Sequence, residues 1–364
     1  VTCARDELAA KLALAARAAS SKSTIQILSH VRLTASDGVA ELAATDMELS
    51  LRTPVGATVE EGGEAVLPRL AADVVRAMAD GPVTLEHRVG EGSVSVSGGG
   101  SAFTLNAPPA ADFPELPPDG GSGLTVPADR LLATADRVAR AASRDETRPV
   151  LTGVLVRLDG EGITMVATDS YRLAVKRTPL DAPPAEPREA IVPARALAEV
   201  GRLASSQKAS EIEVVLTESQ ALFRVGGARL TSRLIDGQFP DYRQLVPDRF
   251  DHEVTFERAE LLGVLTRIGV LAQRSVPLRL QFAQGQVTVS AVSEQLGEGR
   301  ESIPVPFAGD PLEIGFNAEF LRDGVDTVEG DEVRIGLISP LRPGLLQGVG
   351  DEFRYLLMPI RLNA

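Results

Sequence analysis

Cysteine occurs once in the 364 residues, as Cys3, histidine three times and lysine four times, and each scarcity closes off a class of chemistry. A single thiol cannot form an internal disulfide, which fits a reducing compartment. His30, His87 and His252 stand at no metal-ligand spacing with Cys3 or with each other, so packing or surface roles are expected and no metal site is. None of Lys11, Lys22, Lys176 and Lys208 ends a Gly-x-x-x-x-Gly-Lys sequence, so no phosphate loop is expected. Gly98-Gly99-Gly100 lies between strand-like runs with no helix after it, which reads as a hairpin turn and not an anion cradle. Thr45-Asp46 and Thr168-Asp169 resemble acid and nucleophile at first sight. Their repetition favours a turn in which the carboxylate satisfies local backbone donors. No catalytic residues and no cofactor are expected, and the chain reads as a non-enzyme.

Long apolar runs are also missing, so no membrane segment is expected. The charged stretch Arg5-Asp6-Glu7-Leu8 follows the N-terminus without an apolar region of the secretory kind, and a cytoplasmic protein is expected. The hydrophobic fraction of 44% is that of an ordinary globular protein. The formal net charge of −13 argues against nucleic acid as a partner unless the basic residues are segregated.

What is present is repetition. Ile27-Leu28 and Ala44-Thr45-Asp46 recur as Val150-Leu151 and Ala167-Thr168-Asp169, both shifted by 123 positions. Ala65-Val66-Leu67-Pro68 returns as Ala190-Ile191-Val192-Pro193, and Asp112-Phe113-Pro114 returns as Asp236-Gly237-Gln238-Phe239-Pro240. A fainter third copy runs from Phe256-Glu257-Arg258-Ala259-Glu260-Leu261-Leu262 to Tyr355-Leu356-Leu357-Met358-Pro359. Copies this long imply tandem domains, each able to bury its own core. With linkers at residues 117–123 and 247–249, the expected domains are 1–121, 122–247 and 248–364, which leaves no room for a catalytic domain.

Within a repeat the apolar period switches twice. Residues 6–19 and 128–142 carry apolar side chains at helical spacing. Short strands follow at 31–34, 39–43 and 47–51, then a helix after Pro68, then strands at 83–88, 93–97 and 101–105. Each domain is therefore an α+β unit built from two helix-plus-strands halves.

Arginine supplies most of the positive charge, and its spacing repeats. Arg130, Arg137, Arg140 and Arg144 are 7, 3 and 4 apart, which predicts one stripe of a helix. The seven-residue step recurs in Arg69 and Arg76, Arg195 and Arg202, and Arg267 and Arg274. A solvated face is the plain alternative for any one helix. Repetition on equivalent helices suggests instead a surface that meets phosphates without reading bases, with the acids lying elsewhere.

The runs Ala167-Thr168-Asp169-Ser170-Tyr171-Arg172-Leu173-Ala174-Val175, Leu234-Ile235-Asp236-Gly237-Gln238-Phe239-Pro240-Asp241-Tyr242-Arg243 and Tyr355-Leu356-Leu357-Met358-Pro359-Ile360-Arg361-Leu362 closely resemble the bacterial DNA polymerase III beta subunit family, the sliding clamps. The resemblance covers essentially the whole chain in order. It implies a DNA-clamp fold of three similar domains, closing as a ring in a head-to-tail homodimer. Helices would line the hole and sheets would form the outside. Such a ring encircles double-stranded DNA without sequence preference. It tethers the replicative polymerase, the clamp loader and other replication or repair proteins through short linear motifs.

By the same resemblance, a hydrophobic peptide-binding pocket would be lined by Leu151, Thr168, Ser170, Tyr171, Arg172, Leu173, Pro240, Gln244, Leu245, Leu357, Met358, Pro359, Ile360 and Arg361. Ser170-Tyr171 stands where relatives often have Gly-His, and Gln244 where many have a basic residue, which touches the fine peptide preference. DNA contacts would fall to Lys22, Arg69, Arg148, Arg195 and Arg202. The dimer interface would join Phe103 and Leu105 to Val270 and Leu271 of the other subunit, with Glu294, Glu298 and Glu301 at the rim. Around Arg322, the acids Glu319, Asp323 and Asp326 depart from an evenly basic lining. Two alternatives stay open at this point: a divergent clamp paralogue acting as a scaffold or regulator without encircling DNA, and a metabolic enzyme, disfavoured by the missing constellation.

Overall fold

A computed structural model describes residues 1–20, 23–181, 184, 186–272 and 276–362. Lys22 and Arg274, both singled out above, lie outside the described residues. Among the described residues six α-helices run along the chain: α1 Arg5–Ala15, α2 Ala71–Ala77, α3 Ala128–Ala139, α4 Ala194–Gln207, α5 Arg258–Gly269 and α6 Ala318–Thr327. Each repeat contributes two of them, as the periodicity predicts.

Where element bounds differ from the sequence reading, the causes are local. The apolar periodicity of 6–19 covers α1 and then tighter turns, with Arg17, Ala18 and Ala19 donating to carbonyls three residues back. Alanines 15, 16, 18 and 19 are all buried, and their small size lets the chain tuck in while keeping a helix-like pattern. After α3 the same turns recur at Ala141 and Ala142, and the amide of Ser143 donates to Leu151 O just as Ser20 donates to Leu28 O. Strand 47–51 begins two residues late, at Leu49, because Met47 sits at φ +77° in the turn before it. The triple glycine is the turn of the hairpin pairing Gly98 with Ser101, with Gly99 and Gly100 at φ +58° and +82°.

The chain forms two compact units, Val1–Leu131 with Arg195–Leu234, and Leu132–Ala194 with Ile235–Ala364. Their boundaries cut through the second repeat because hydrogen bonding does. In the first unit an eight-stranded sheet pairs Ala228–Arg233 with Leu49–Val55, joining strands of the second repeat to strands of the first. In the second unit an eight-stranded sheet pairs Arg172–Thr178 with Phe353–Leu357, joining the second repeat to the third. A five-stranded sheet completes the first unit and a four-stranded sheet the second.

Alternation within the strands sets the cores. In the second unit Val254 and Phe256 point inward from the strand His252–Glu257, as do Leu278, Leu280 and Phe282 from the strand Leu278–Ala283. Helix α5 adds Leu261, Val264, Leu265 and Ile268 at spacings of one face, and its start is fixed by the Glu257 carboxylate accepting from Ala259 N and Glu260 N.

Candidate functional site

The second seam is where the expected pocket residues gather, and a turn prepares it. Thr168 Oγ1 donates to Arg172 O at 2.6 Å and accepts from Ser170 N at 3.1 Å. Asp169 Oδ1 accepts from Tyr171 N and Arg172 N at 2.9 and 3.0 Å. Thr45 and Asp46 make the same turn in the first unit, with Asp46 Oδ1 accepting from Glu48 N and Leu49 N. Both pairs are structural caps. Ser170 takes φ +79°, a conformation that favours glycine, and the turn presents Tyr171 at 63% exposure. Tyr171 O then accepts from Met358 N at 2.9 Å, which holds the C-terminal run beside it.

Directly opposed residues of antiparallel strands share a face. Thr168 faces Leu173, Leu173 faces Leu356, and Leu356 faces Leu345, giving one row across four strands. Leu173, Leu356 and Leu345 join Leu155, Phe239 and Tyr242 in one apolar cluster, with Val246 and Phe250 packed against it. Room for Phe250 comes from Gly336, where a Cβ would stand 2.7 Å from its ring. Around this buried floor Tyr171, Leu245 and Met358 keep apolar surface in solvent, at 63%, 50% and 43% exposure. Pro240 is exposed and Leu151 is half-buried. Gln244 Nε2 donates to Asp241 Oδ2 at 2.8 Å, which steadies the turn Tyr242–Leu245.

Four expected lining residues are placed differently. Leu357 pairs with Arg172 and so points to the opposite face of the sheet, fully buried; Leu356 takes the place expected of it. Arg172 is buried on that same far side, where it donates to Asp169, to Asp323 of α6 and to Tyr355 Oη, and lies 4.1 Å from the Phe320 ring. Burial works against its charge, but Tyr355, Asp323 and Asp169 outweigh burial and raise its pKa. Burial likewise pushes the Tyr355 phenol up. Arg172 is thus a positioning residue for the seam. Ile360 donates to Gly315 O, and Ile360 and Arg361 line a separate cavity of about 470 Å³ with Leu341 and Leu362. Pro359, between the two environments, is half-buried.

Sequence reasoning missed Leu356, Phe239 and Tyr242. The signal was available in the two-residue alternation of the last strand once its pairing with Leu173 is known. The first seam is an internal control: there Thr45 faces Ser50 and Ser50 faces Thr231, so hydroxyls occupy the positions of Leu173 and Leu356. Of these two rows, the one at the second seam is apolar.

The arginines are exposed but seldom unpaired. Arg195 donates to Asp46 Oδ2 at 2.7 Å, Arg148 to Asp145 at 3.0 Å and to Ser170 Oγ at 3.2 Å, and Arg202 pairs with Glu199, which also takes Arg17. Arg69 is exposed. The expected stripe on α3 is corrected. Arg137 is buried, donating to Thr327 O and pairing with Asp351, while Arg140 and Arg144 follow the end of the helix. Two acids of α6 have partners within the chain: Asp323 holds Arg172, and Asp326 holds Arg140 and Arg258.

Each unit also ends a sheet on an open strand. Ser101–Asn106 is the edge of the five-stranded sheet and carries Phe103, 39% exposed, and Leu105. Gly297–Pro304 is the edge of the four-stranded sheet; Leu271 lies over its Gly299, and Val270 beside it is 66% exposed. Glu301 is already paired with Arg267 at 2.6 Å.

These features, repeated helix-and-sheet halves, sheets shared between repeats and an apolar seam at the second junction, define a protein of the sliding-clamp class. Residues 1–117, 125–241 and 243–361 match, in order, the N-terminal, central and C-terminal domains of the DNA polymerase III beta subunit. The beta sliding clamp of Synechococcus elongatus is 34% identical over 375 residues, covering 100% of both chains. The crystal structure of the DNA polymerase III subunit beta from Pseudomonas aeruginosa superimposes with a TM-score of 0.93 at 28% identity, covering 99% of each chain. The sliding clamp of the same organism bound to griselimycin gives 0.91 at 29% identity, again covering 99% of each. The chain belongs to the DNA polymerase III beta subunit family. It has the three-domain α+β clamp fold and is a non-catalytic processivity factor of DNA replication.

Proposed function

We propose that two copies of this chain close head to tail into a ring around double-stranded DNA, each built of domains 1–121, 122–247 and 248–364. The two open strand edges support closure. One lies in each compact unit, with exposed Phe103 on the first and exposed Val270 beside the second, so one copy's Ser101–Asn106 edge can pair with the other's Gly297–Pro304 edge. Phe103 and Leu105 then meet Val270 and Leu271, and Glu294 and Glu298 serve the rim.

DNA contact rests on Arg69, Arg148, Arg195 and Arg202, joined by Lys22. Because several of these guanidinium groups already hold a carboxylate, a phosphate exchanges for a surface ion pair that contributes little by itself. Each contact is therefore near neutral in free energy, which suits a ring that slides. Topology, and not grip, keeps the protein on DNA.

The apolar floor at Leu173 and Leu356, rimmed by Tyr171, Leu245 and Met358, suits an apolar anchor from a short linear motif. The replicative polymerase, the clamp loader and repair proteins are its users, in the cytoplasm. The griselimycin complex of the Pseudomonas aeruginosa clamp is consistent with a ligand-accepting surface on this fold. The test is topological. After loading onto nicked circular DNA, the protein should be retained through gel filtration and lost when the circle is linearised. Equal retention on both forms would overturn encirclement.

A further inference from the structure

One row beyond Leu173 and Leu356, on the same face of the sheet, Val175 faces Arg354 and Arg354 faces Gln347. A groove of about 350 Å³ opens there. Its walls include Val175, Phe250 and Leu345, together with Arg243, Arg354 and Asp248. The Arg243 guanidinium stacks 5.0 Å from the Tyr242 ring, and Arg354 is exposed on its strand. Neither has an ion-pair partner among the described residues, and Asp248 leaves the groove with one net positive charge.

The floor of this groove is continuous with the pocket floor, since Val175, Phe250 and Leu345 all belong to, or pack on, the cluster that holds Leu173 and Leu356. Two residues along a strand span about 7 Å, so a ligand anchored over Leu173 reaches the second row with two or three residues of extended chain. We infer that this groove binds the acidic flank of the same partner peptide whose apolar motif occupies the pocket, its carboxylates meeting Arg243 and Arg354. The inference rests on the pocket reading above. Charge complementarity selects an acidic flank over a basic one, and Asp248 confines the incoming carboxylates to the arginine side.

Calorimetry at low salt with four peptides tests it: an apolar core containing Gln, Leu and a terminal Leu-Phe pair, the core with Asp-Asp added beyond a two-residue spacer at its N-terminus, the same at its C-terminus, and a matched Asn-Asn control. One acidic extension should bind roughly threefold to tenfold tighter than the core, the Asn-Asn control should not, and the double variant Arg243→Gln, Arg354→Gln should lose that gain while binding the core unchanged. Acidic extensions that add nothing, a gain shared by the Asn-Asn control, or a gain that survives in the double variant would each overturn the groove and leave the pocket standing. A core peptide that fails to bind the unaltered protein would overturn the pocket and the groove together.

Discussion

Leu173 stands directly opposite Leu356 across the seam of the second and third repeats, and Arg172 stands opposite Leu357 one step away. Neighbouring leucines of one strand are thereby divided between two faces. Leu356 lies in the apolar cluster under the candidate pocket, and Leu357 is fully buried on the side of Arg172 and its ion pairs.

This division yields a separable pair of outcomes. Leu357→Ala should lower unfolding free energy by about 2 to 5 kcal/mol, as for other buried leucines, while the folded fraction keeps its peptide affinity. Met358→Asp, at a residue 43% exposed, should leave the melting temperature nearly unchanged but weaken an apolar core peptide by roughly 1 to 3 kcal/mol. Calorimetry and thermal melting of both variants check this. Leu173→Asp is the blunter test, since Leu173 is 2% exposed and a carboxylate there disturbs the core as well as the pocket.

Ring closure makes a demand on Val270. In the single chain it is 66% exposed, so Val270→Asp costs the fold little, but closure would bury the carboxylate without a partner. Sedimentation equilibrium should give monomers with unchanged circular dichroism. A persistent dimer would move the interface elsewhere.

Asp46 and Arg195 offer a test of carboxylate exchange at the proposed DNA contacts. Asp46 Oδ1 caps its turn and Oδ2 accepts from Arg195, so Asp46→Asn keeps the cap and releases the guanidinium. DNA association should tighten and its salt dependence steepen by about one unit of slope. Arg195→Ala with Arg202→Ala should weaken association without altering sequence preference. Fluorescence anisotropy across a salt series reads both.

Much of this was legible in the sequence because repetition exposes roles that a single copy hides. The Thr-Asp turn and the helices after Pro68 and Pro193 follow from local chemistry that the repeats report twice, and the glycine hairpin follows from its own residues. What was not legible depended on strand partners distant in sequence. The Leu173 and Leu356 pairing joins residues from different repeats, and without it the choice between Leu356 and Leu357 has no basis. Arg137 misleads for the same reason. Its spacing from Arg130 and Arg140 is that of an exposed stripe, and its partners Thr327 and Asp351 lie a repeat away. Charge patterning reports where a side chain sits on its own helix, not what folds over it.

Asp351 carries the last prediction. Its carboxylate pairs with Arg137 through Oδ2, and through Oδ1 accepts from Lys176 at 3.1 Å and from Phe353 N at 3.1 Å, while the Arg137 guanidinium lies 4.5 Å from the Phe353 ring. Burial opposes ionisation of Asp351, but the hydrogen bonds from Arg137 and Lys176 prevail and hold its pKa below the usual carboxylate value. A depressed folded-state pKa means that the unfolded chain binds the proton more readily. The stabilisation is therefore complete above the unfolded value of about 3.9 and is lost as pH falls through the lower folded value. Asp351→Asn leaves Lys176 without its counter-ion and Arg137 with only the exposed Glu329 carboxylate at 3.0 Å, at a cost of about 3 kcal/mol near pH 7. Urea unfolding from pH 7 downward should show the gap between the unaltered protein and Asp351→Asn narrowing below about pH 4, because protonation removes from the former what the substitution removes from the latter. A gap that stayed constant to pH 2 would mean that the charge of Asp351 contributes nothing and that its hydrogen-bonding shape alone holds α3 against the third repeat.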